Sequence, residues 1–316
     1  MGTEAMAGRH DKRSQRRAVD GILLLDKPPG MSSNGALQQV KRLFRARKAG
    51  HTGNLDPLAT GMLPVCMGDA TKVSAFLLDA EKRYRVTCTL GARTSTGDTE
   101  GEVVETGPVG PEVSERLDAV LACFRGEIRQ VPPMYSAVKH RGERLYRLAR
   151  QGIEVAREPR AVRIHALEVL ERGAESFVLD LRCSKGTYVR TLVEDIAREM
   201  GSCGHVTSLR RLGVGPYQDQ PMHTLEKLEN LAVQGLSPLD ALCLPIDSAL
   251  CQWPAVDLTP DTAFYLRQGQ PVLVPRLPQE GWVRLYESER RRFIGMGEII
   301  EDGRVAPRRL MQGASA

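Results

Sequence analysis

GHTGNLDPLATGMLPV, Gly50 to Val65, sets three glycines and two prolines around a single carboxylate, Asp56. Pro57 lacks a backbone donor and biases Asp56 away from helix, while Gly50, Gly53 and Gly61 let the chain turn tightly on either side. Asp56 therefore belongs on a loop. The ordinary role of such an aspartate is an Asx-turn, with the carboxylate capping its own backbone. The chemical alternatives are metal ligand, general base or nucleophile. A metal is disfavoured, because His51 is the sole plausible ligand nearby in sequence and no third is supplied. Hydrolysis of a glycosidic bond generally uses two carboxyl groups, and this stretch holds one. A reaction that breaks and remakes a glycosyl bond without water needs only one.

Working outward, the 316-residue chain is 41% hydrophobic and 26% charged, the profile of a globular protein long enough for one large and one small domain. No apolar run approaches the roughly 20 residues of a membrane helix, and the basic N-terminus lacks the apolar core of a secretory signal. A cytoplasmic protein without membrane contact is expected. Seven cysteines (Cys66, Cys88, Cys123, Cys183, Cys203, Cys243 and Cys251) form no CxxC pair, which fits reduced thiols. No HxxxH or Cys/His cluster appears, so no metal is assigned. The net charge of +5 suggests a polyanionic partner.

Residues 1–18 are polar and basic without apolar periodicity and read as a disordered arm, with order beginning at Val19. A short strand at Ile22 to Leu25 leads through Lys-Pro-Pro-Gly to a helix capped by Ser32 or Ser33. In YRVTCTLG, the alternation of Tyr84, Val86, Cys88 and Leu90 predicts a half-buried strand. Residues 124–152 interleave seven basic side chains with Tyr135 and Tyr146 against only Glu127 and Glu143, a composition suited to a nucleic-acid surface. Strands resume at AVRIHALEVL and SFVLDLRCSKG, and GTYVRTLVEDIAREMG predicts a helix stopped by Gly201. The segment LENLAVQGLSPLDALCLPID reads as a linking helix and loop. From about Leu258, PVLVPRL, WVRLYE, FIGMGEII and RVAPRRLM predict a small all-β unit. No Walker motif or dinucleotide fingerprint is present, so ATP is not implied.

Five motifs, KPPGMSS, GHTGNLDPLATGMLPV with MGDATK, KRYRV, QVPPMYSAVK and CSKGTYVRTL, resemble in order those of bacterial TruB-type tRNA pseudouridine synthases, over roughly Val19 to Leu212. The resemblance implies an α/β (α+β) pseudouridine synthase fold with a mixed, mainly antiparallel sheet. It places a catalytic domain at 19–246, with an RNA-clamping insertion near 124–152, and a PUA-like domain at 247–316. The implied reaction is isomerisation of the T-loop uridine at position 55 of tRNA, by base flipping, without cofactor. Asp56 matches the catalytic aspartate, whether it attacks ribose C1′ or uracil C6 or supports a glycal. Tyr84 matches the tyrosine that stacks on the uracil and is implicated in proton removal, and Arg190 the arginine paired with the carboxylate. That pairing is expected to keep Asp56 ionised. His51 matches the residue that fills the gap left by the flipped base. Lys27, Tyr188 and Leu209 match, respectively, a lysine supporting the first motif, a tyrosine beside the base and an apolar wall. The implied partner is the T-arm of tRNA, bound by a monomer with no guide RNA. A rival from another class is a non-catalytic tRNA-folding chaperone, and a second is a nucleosidase that releases uracil.

Overall fold

The apolar run Ile22 to Leu25 becomes the middle of the strand Gly21–Lys27, and both faces of that strand are covered. Leu23 and Leu25 pack with Ala36, Leu37, Val40 and Phe44 on one side, while Ile22 and Leu24 pack with Met62 and Cys66 on the other. A continuous rather than alternating apolar run is the pattern such double burial requires. The computed structural model describes residues 16–275, 277–287 and 292–312.

In spatial order the main sheet runs His223–Thr224, Gly21–Lys27, Thr60–Met67, Gly204–Val214, Lys82–Leu90, Ser176–Cys183, Arg160–Arg172 and Gly126–Gln130. Among these ladders, His223–Thr224 on Gly21–Lys27 and Gly204–Val214 on Thr60–Met67 are parallel, and the others are antiparallel. The sheet is mixed and mainly antiparallel. Strict alternation holds in Lys82–Leu90, where Tyr84, Val86, Cys88 and Leu90 all face one core. The helix Val189–Glu199 closes that core by laying Leu192, Val193, Ile196 and Ala197 on the same face, and Gly201, at φ 82°, follows its end.

The helix Ser33–Leu43 starts at Ser32, whose hydroxyl accepts the Gly35 N–H at 3.0 Å. The next hydroxyl, Ser33, binds the main chain of Leu55 in both directions, at 2.7 and 3.1 Å. One end of this helix is thus tied to the residue preceding Asp56. The segment read as a linker is instead part of the core. Its helix, Leu225–Gln234, turns Leu225 and Leu228 onto the cluster around Leu23 and Phe44.

Four strands, Ala255–Leu258, Gly281–Glu287, Arg292–Ile299 and Val305–Leu310, make a second sheet near the C-terminus. It carries a helix, Pro260–Arg267, capped by Thr259. Among its described residues PVLVPRL contributes only the bridge of Val272 to Val305, since prolines at 271 and 275 remove donors a ladder would need. This sheet docks on the back of the main one. Met296 joins the cluster of Ile22, Leu24 and Met62, and Phe76 meets Trp253 and Trp282 edge-on at 4.7 and 5.2 Å between ring centroids. Lys72 Nζ donates to the Leu310 carbonyl at 2.9 Å across the same junction.

Of the arm expected at 1–18, residues 1–15 lie outside the described residues. Arg17 is fixed. Its amide donates to the Arg45 carbonyl at 2.9 Å and its guanidinium grips Asp240 with two bonds of 2.5 and 2.6 Å, so order begins before Val19.

Candidate active site

Asp56 sits on the loop between the short strand Ala49–His51 and Thr60–Met67, with its side chain 37% exposed. The loop is held by main-chain and buried contacts rather than by an Asx-turn. Gly30 N–H donates to the Pro57 carbonyl at 2.9 Å, and Ser33 holds Leu55 from behind. Lys27, wholly buried, donates to the carbonyls of Pro28, Met31 and Pro57 at 2.8, 2.7 and 3.3 Å. Burial lowers its ammonium to about 8, with Asp56 pulling the other way. Where the loop re-enters the sheet, Gly61 adopts φ +95°, and a Cβ there would overlap the carbonyl oxygen of Arg211. Only glycine meets both conditions.

Arg190, in the first turn of Val189–Glu199, reaches Asp56 through Nε at 2.9 Å. Its other nitrogens donate to the carbonyls of Thr96 at 2.5 Å and Tyr135 at 2.9 Å, and Asp98 lies 3.7 Å away. Every edge of the guanidinium is engaged, which fixes the carboxylate it holds. The expectation that pairing with Arg190 keeps the Asp56 carboxyl ionised meets a qualification. Burial is the larger influence and lifts that group above the ordinary aspartate range; Arg190 opposes the rise without cancelling it, and Asp98 adds to it. The paired anion is a stronger base than a solvated aspartate.

Tyr84 and Leu209 come from adjacent antiparallel strands, with Tyr84 opposite Arg211 and Val86 opposite Leu209. Both side chains join Leu55, Ala59 and Val189 in one apolar wall, and burial raises the Tyr84 phenol. Tyr188 precedes the Arg190 helix, its main chain clasped by the Gln130 amide at 3.0 and 3.3 Å. The Asp56 charge reaches Lys27, Tyr84 and Tyr188. His51 is half-buried, its Nδ1 without a hydrogen-bond partner, and burial lowers its pKa, so the ring is neutral at pH 7. The structure brings Asp56, Arg190, Tyr84, Lys27, Tyr188 and Leu209 into one neighbourhood, with His51 on the strand that leads into the Asp56 loop.

In the basic segment, Lys139, Arg141, Arg144, Arg147 and Arg150 are exposed. Arg125, also exposed, is steadied from one side by donating to the Leu167 carbonyl at 2.9 and 3.2 Å. The bond from Arg190 to the Tyr135 carbonyl ties this segment to the Asp56 pair.

Residues 41–189 match the family model for the TruB family pseudouridylate synthase N-terminal domain, and residues 190–251 and 254–311 match two TruB C-terminal domain models. A Nitrosococcus oceani protein named tRNA pseudouridine synthase B is 55% identical over 300 residues, 95% of this chain and 97% of its own length. The chain belongs to the TruB family. A Serratia proteamaculans relative of the same name is 51% identical over 306 residues, covering 95% of this chain and 97% of its own. A chain of the solved Cbf5-Nop10-Gar1 complex superposes with a TM-score of 0.70 at 25% identity, covering 92% of this chain and 84% of that one. The fold is the pseudouridine synthase fold.

Three residues of this TruB-family site escape a reading of the sequence. Asp98, 2% exposed, accepts from Thr96 Oγ1 and the Glu100 amide at 2.5 and 3.0 Å and stands behind Arg190. Glu100 is exposed at the rim, within electrostatic reach of Asp56 and Lys27. Arg211, 1% exposed, is among the largest wholly buried side chains of the TruB-family chain. The segment GARTSTGDTEG gives only turn signals for the first two, and the two arginines of LRRLG look alike in sequence.

Proposed function

We propose that this chain isomerises the T-loop uridine at position 55 of tRNA to pseudouridine, acting alone and without guide RNA or cofactor. The observation that carries the reading is the Asp56–Arg190 pair at 2.9 Å, partly exposed on the carboxylate side and saturated with protein contacts on the other. A uridine flipped from the loop lays its base against Tyr84 and Leu209, which brings its ribose to Asp56. His51, uncharged, suits stacking in the vacated gap better than pairing with phosphate. The exposed arginines of 139–150 meet the phosphates of the T-arm.

In the reaction the C1′–N1 bond breaks, uracil turns within the site and the C1′–C5 bond forms. The C5 proton then leaves, its electron pair restores the ring double bond, and N1 takes up a proton. Substrate and product have the same composition, so no water is consumed. Asp56 supplies the anion that acts on the electron-poor sugar or base, and Arg190 keeps it charged in a half-buried setting. Hydrolytic release of uracil finds little support. Asp98 is buried and engaged by Thr96 and Glu100, so it cannot serve as the second carboxyl group facing a substrate.

The test is tritium release from an unmodified T-arm stem-loop labelled at uracil C5, with wild type and Asp56→Asn side by side. Release by wild type alone, with T-arm binding kept in the variant, is expected. Free uracil among the products would establish the nucleosidase instead, and tight binding with no release by either protein would favour a tRNA-folding role.

A further inference from the structure

Buried cations are ordinarily paired with carboxylates, because an unpaired charge in the interior is costly. Arg211 departs from this. Among the described residues no carboxylate lies within ion-pair distance of it. Its guanidinium donates instead to three main-chain carbonyls: Met62 at 2.6 Å, Gly53 at 3.3 Å and Asn54 at 3.4 Å. Gly53 and Asn54 lie just before Asp56, and Met62 lies just after the loop returns to the sheet. One side chain thus pins both ends of the Asp56 loop.

The same side chain faces Tyr84. The two residues are direct partners in the antiparallel ladder, and partners in a ladder project from the same face with Cβ atoms about 5 Å apart. Burial raises the Tyr84 phenol, and Arg211 is the leading influence that opposes it. The buried ionic groups here are Lys27, Lys82, Arg190 and Arg211 against Asp98 and the half-buried Asp56. The site carries cations in excess, and Arg211 is the one that stands opposite the phenol across the ladder.

We propose that Arg211 is a positioning residue for proton removal, holding Tyr84 in register with the Asp56 loop and stabilising the phenolate that takes the C5 proton. This rests on the isomerase reading above. In the step, the phenolate oxygen takes the proton from C5 of the C1′–C5-bonded intermediate and the C5–H pair becomes the ring double bond. N1 is protonated by water, and the phenol returns its proton to water. The enzyme ends as it began. Arg211 has no carboxylate partner because such a partner would neutralise the charge this step uses.

The experiment compares full-length wild type, Arg211→Lys, Arg211→Met, Tyr84→Phe and the Arg211→Met/Tyr84→Phe double variant in single-turnover tritium release. Pseudouridine formation is followed as well, with protium and with deuterium at uracil C5. Arg211→Met is expected to slow release by ~30-fold and Arg211→Lys to recover ~tenfold of it, with T-arm affinity within ~threefold of wild type. The isotope effect should rise above that of wild type, because proton removal becomes the slow step. The rise of rate with pH should move to higher pH. In the Tyr84→Phe background, Arg211→Met should cost less than ~threefold more. A slowed variant with an unchanged isotope effect and the same penalty in both backgrounds would make Arg211 a structural prop and overturn the proposal, as would a wild-type rate in Arg211→Met. If Arg211→Met does not fold, the isotope effect of Arg211→Lys decides, raised in support or unchanged against. No release by wild type overturns the isomerase reading and this proposal together, whereas the other outcomes overturn this proposal alone.

Discussion

Lys27→Met should destabilise the protein by an amount that grows with pH. Wild-type Lys27 is wholly buried and its ammonium lies at about 8, against 10.5 for an ordinary lysine. Below pH 8 the side chain is protonated in both folded and unfolded chains, so the fold bears the full cost of burying the charge, about 3 kcal/mol. Between about 8 and 10.5 the unfolded chain binds more protons than the folded one, and stability rises with pH. Integrated from pH 7 to pH 9.5, the gain is about 2 kcal/mol. Methionine removes both the charge and this gain. It also leaves the carbonyls of Pro28, Met31 and Pro57 without their donor, a loss of about 1 kcal/mol or more for each. At pH 7 relief of the buried charge offsets much of that loss; at pH 9.5 it no longer does. Urea unfolding of both proteins at the two pH values measures the difference. A destabilisation equal at pH 7 and pH 9.5 would refute the reasoning, because it would mean that the lysine is not a buried cation.

Gly61→Ala meets both a positive φ and the Arg211 carbonyl, so a loss of about 2–4 kcal/mol is expected, read as a lower thermal midpoint. Glu100→Gln removes an exposed rim carboxylate and should leave isomerisation within ~threefold of wild type; a large loss of turnover would give Glu100 a chemical role. Replacing Arg144, Arg147 and Arg150 by glutamine should weaken T-arm binding and flatten its dependence on log salt by about 2, measured by filter binding between low and moderate salt. Arg17→Ala breaks a partly exposed pair and should cost no more than about 1 kcal/mol, less in high salt.

The parts of the site legible in sequence are those where local chemistry leaves little choice. Tyr84 is placed by strict alternation, the Asp56 loop by its glycines and Pro57, and the helix Ser33–Leu43 by its cap. Arg211 is not legible because the strand Gly204–Val214 has irregular register at Val206/Ser208 and again at Arg211/Gly213. Counting by twos through those shifts cannot tell which arginine points inward. Arg210 turns out to face Asp26 at 2.8 Å, partly exposed, while its neighbour is buried. Asp98 sits among turn residues whose local propensities say nothing of the arginine waiting from another element. The helix Pro260–Arg267 did carry a signal, Thr259 followed by proline at its start, but the apolar residues around it favoured strands.

The docking of Met296 and Trp282 against the back of Ile22 and Leu24 has a consequence for the nascent polypeptide. The first strand leaves the ribosome early, and one of its greasy faces, backed by Met62, Cys66 and Val73, completes its cover only when the last segments are made. At roughly 10 residues per second that interval is about half a minute. Throughout it, a sheet surface able to stick to other chains must be shielded by something else. A version cut short before the second sheet would keep the part of that surface facing Met296 and Trp282 bare for good. The terminal sheet is therefore a lid against aggregation, and transplanting it would require recutting the strand it covers.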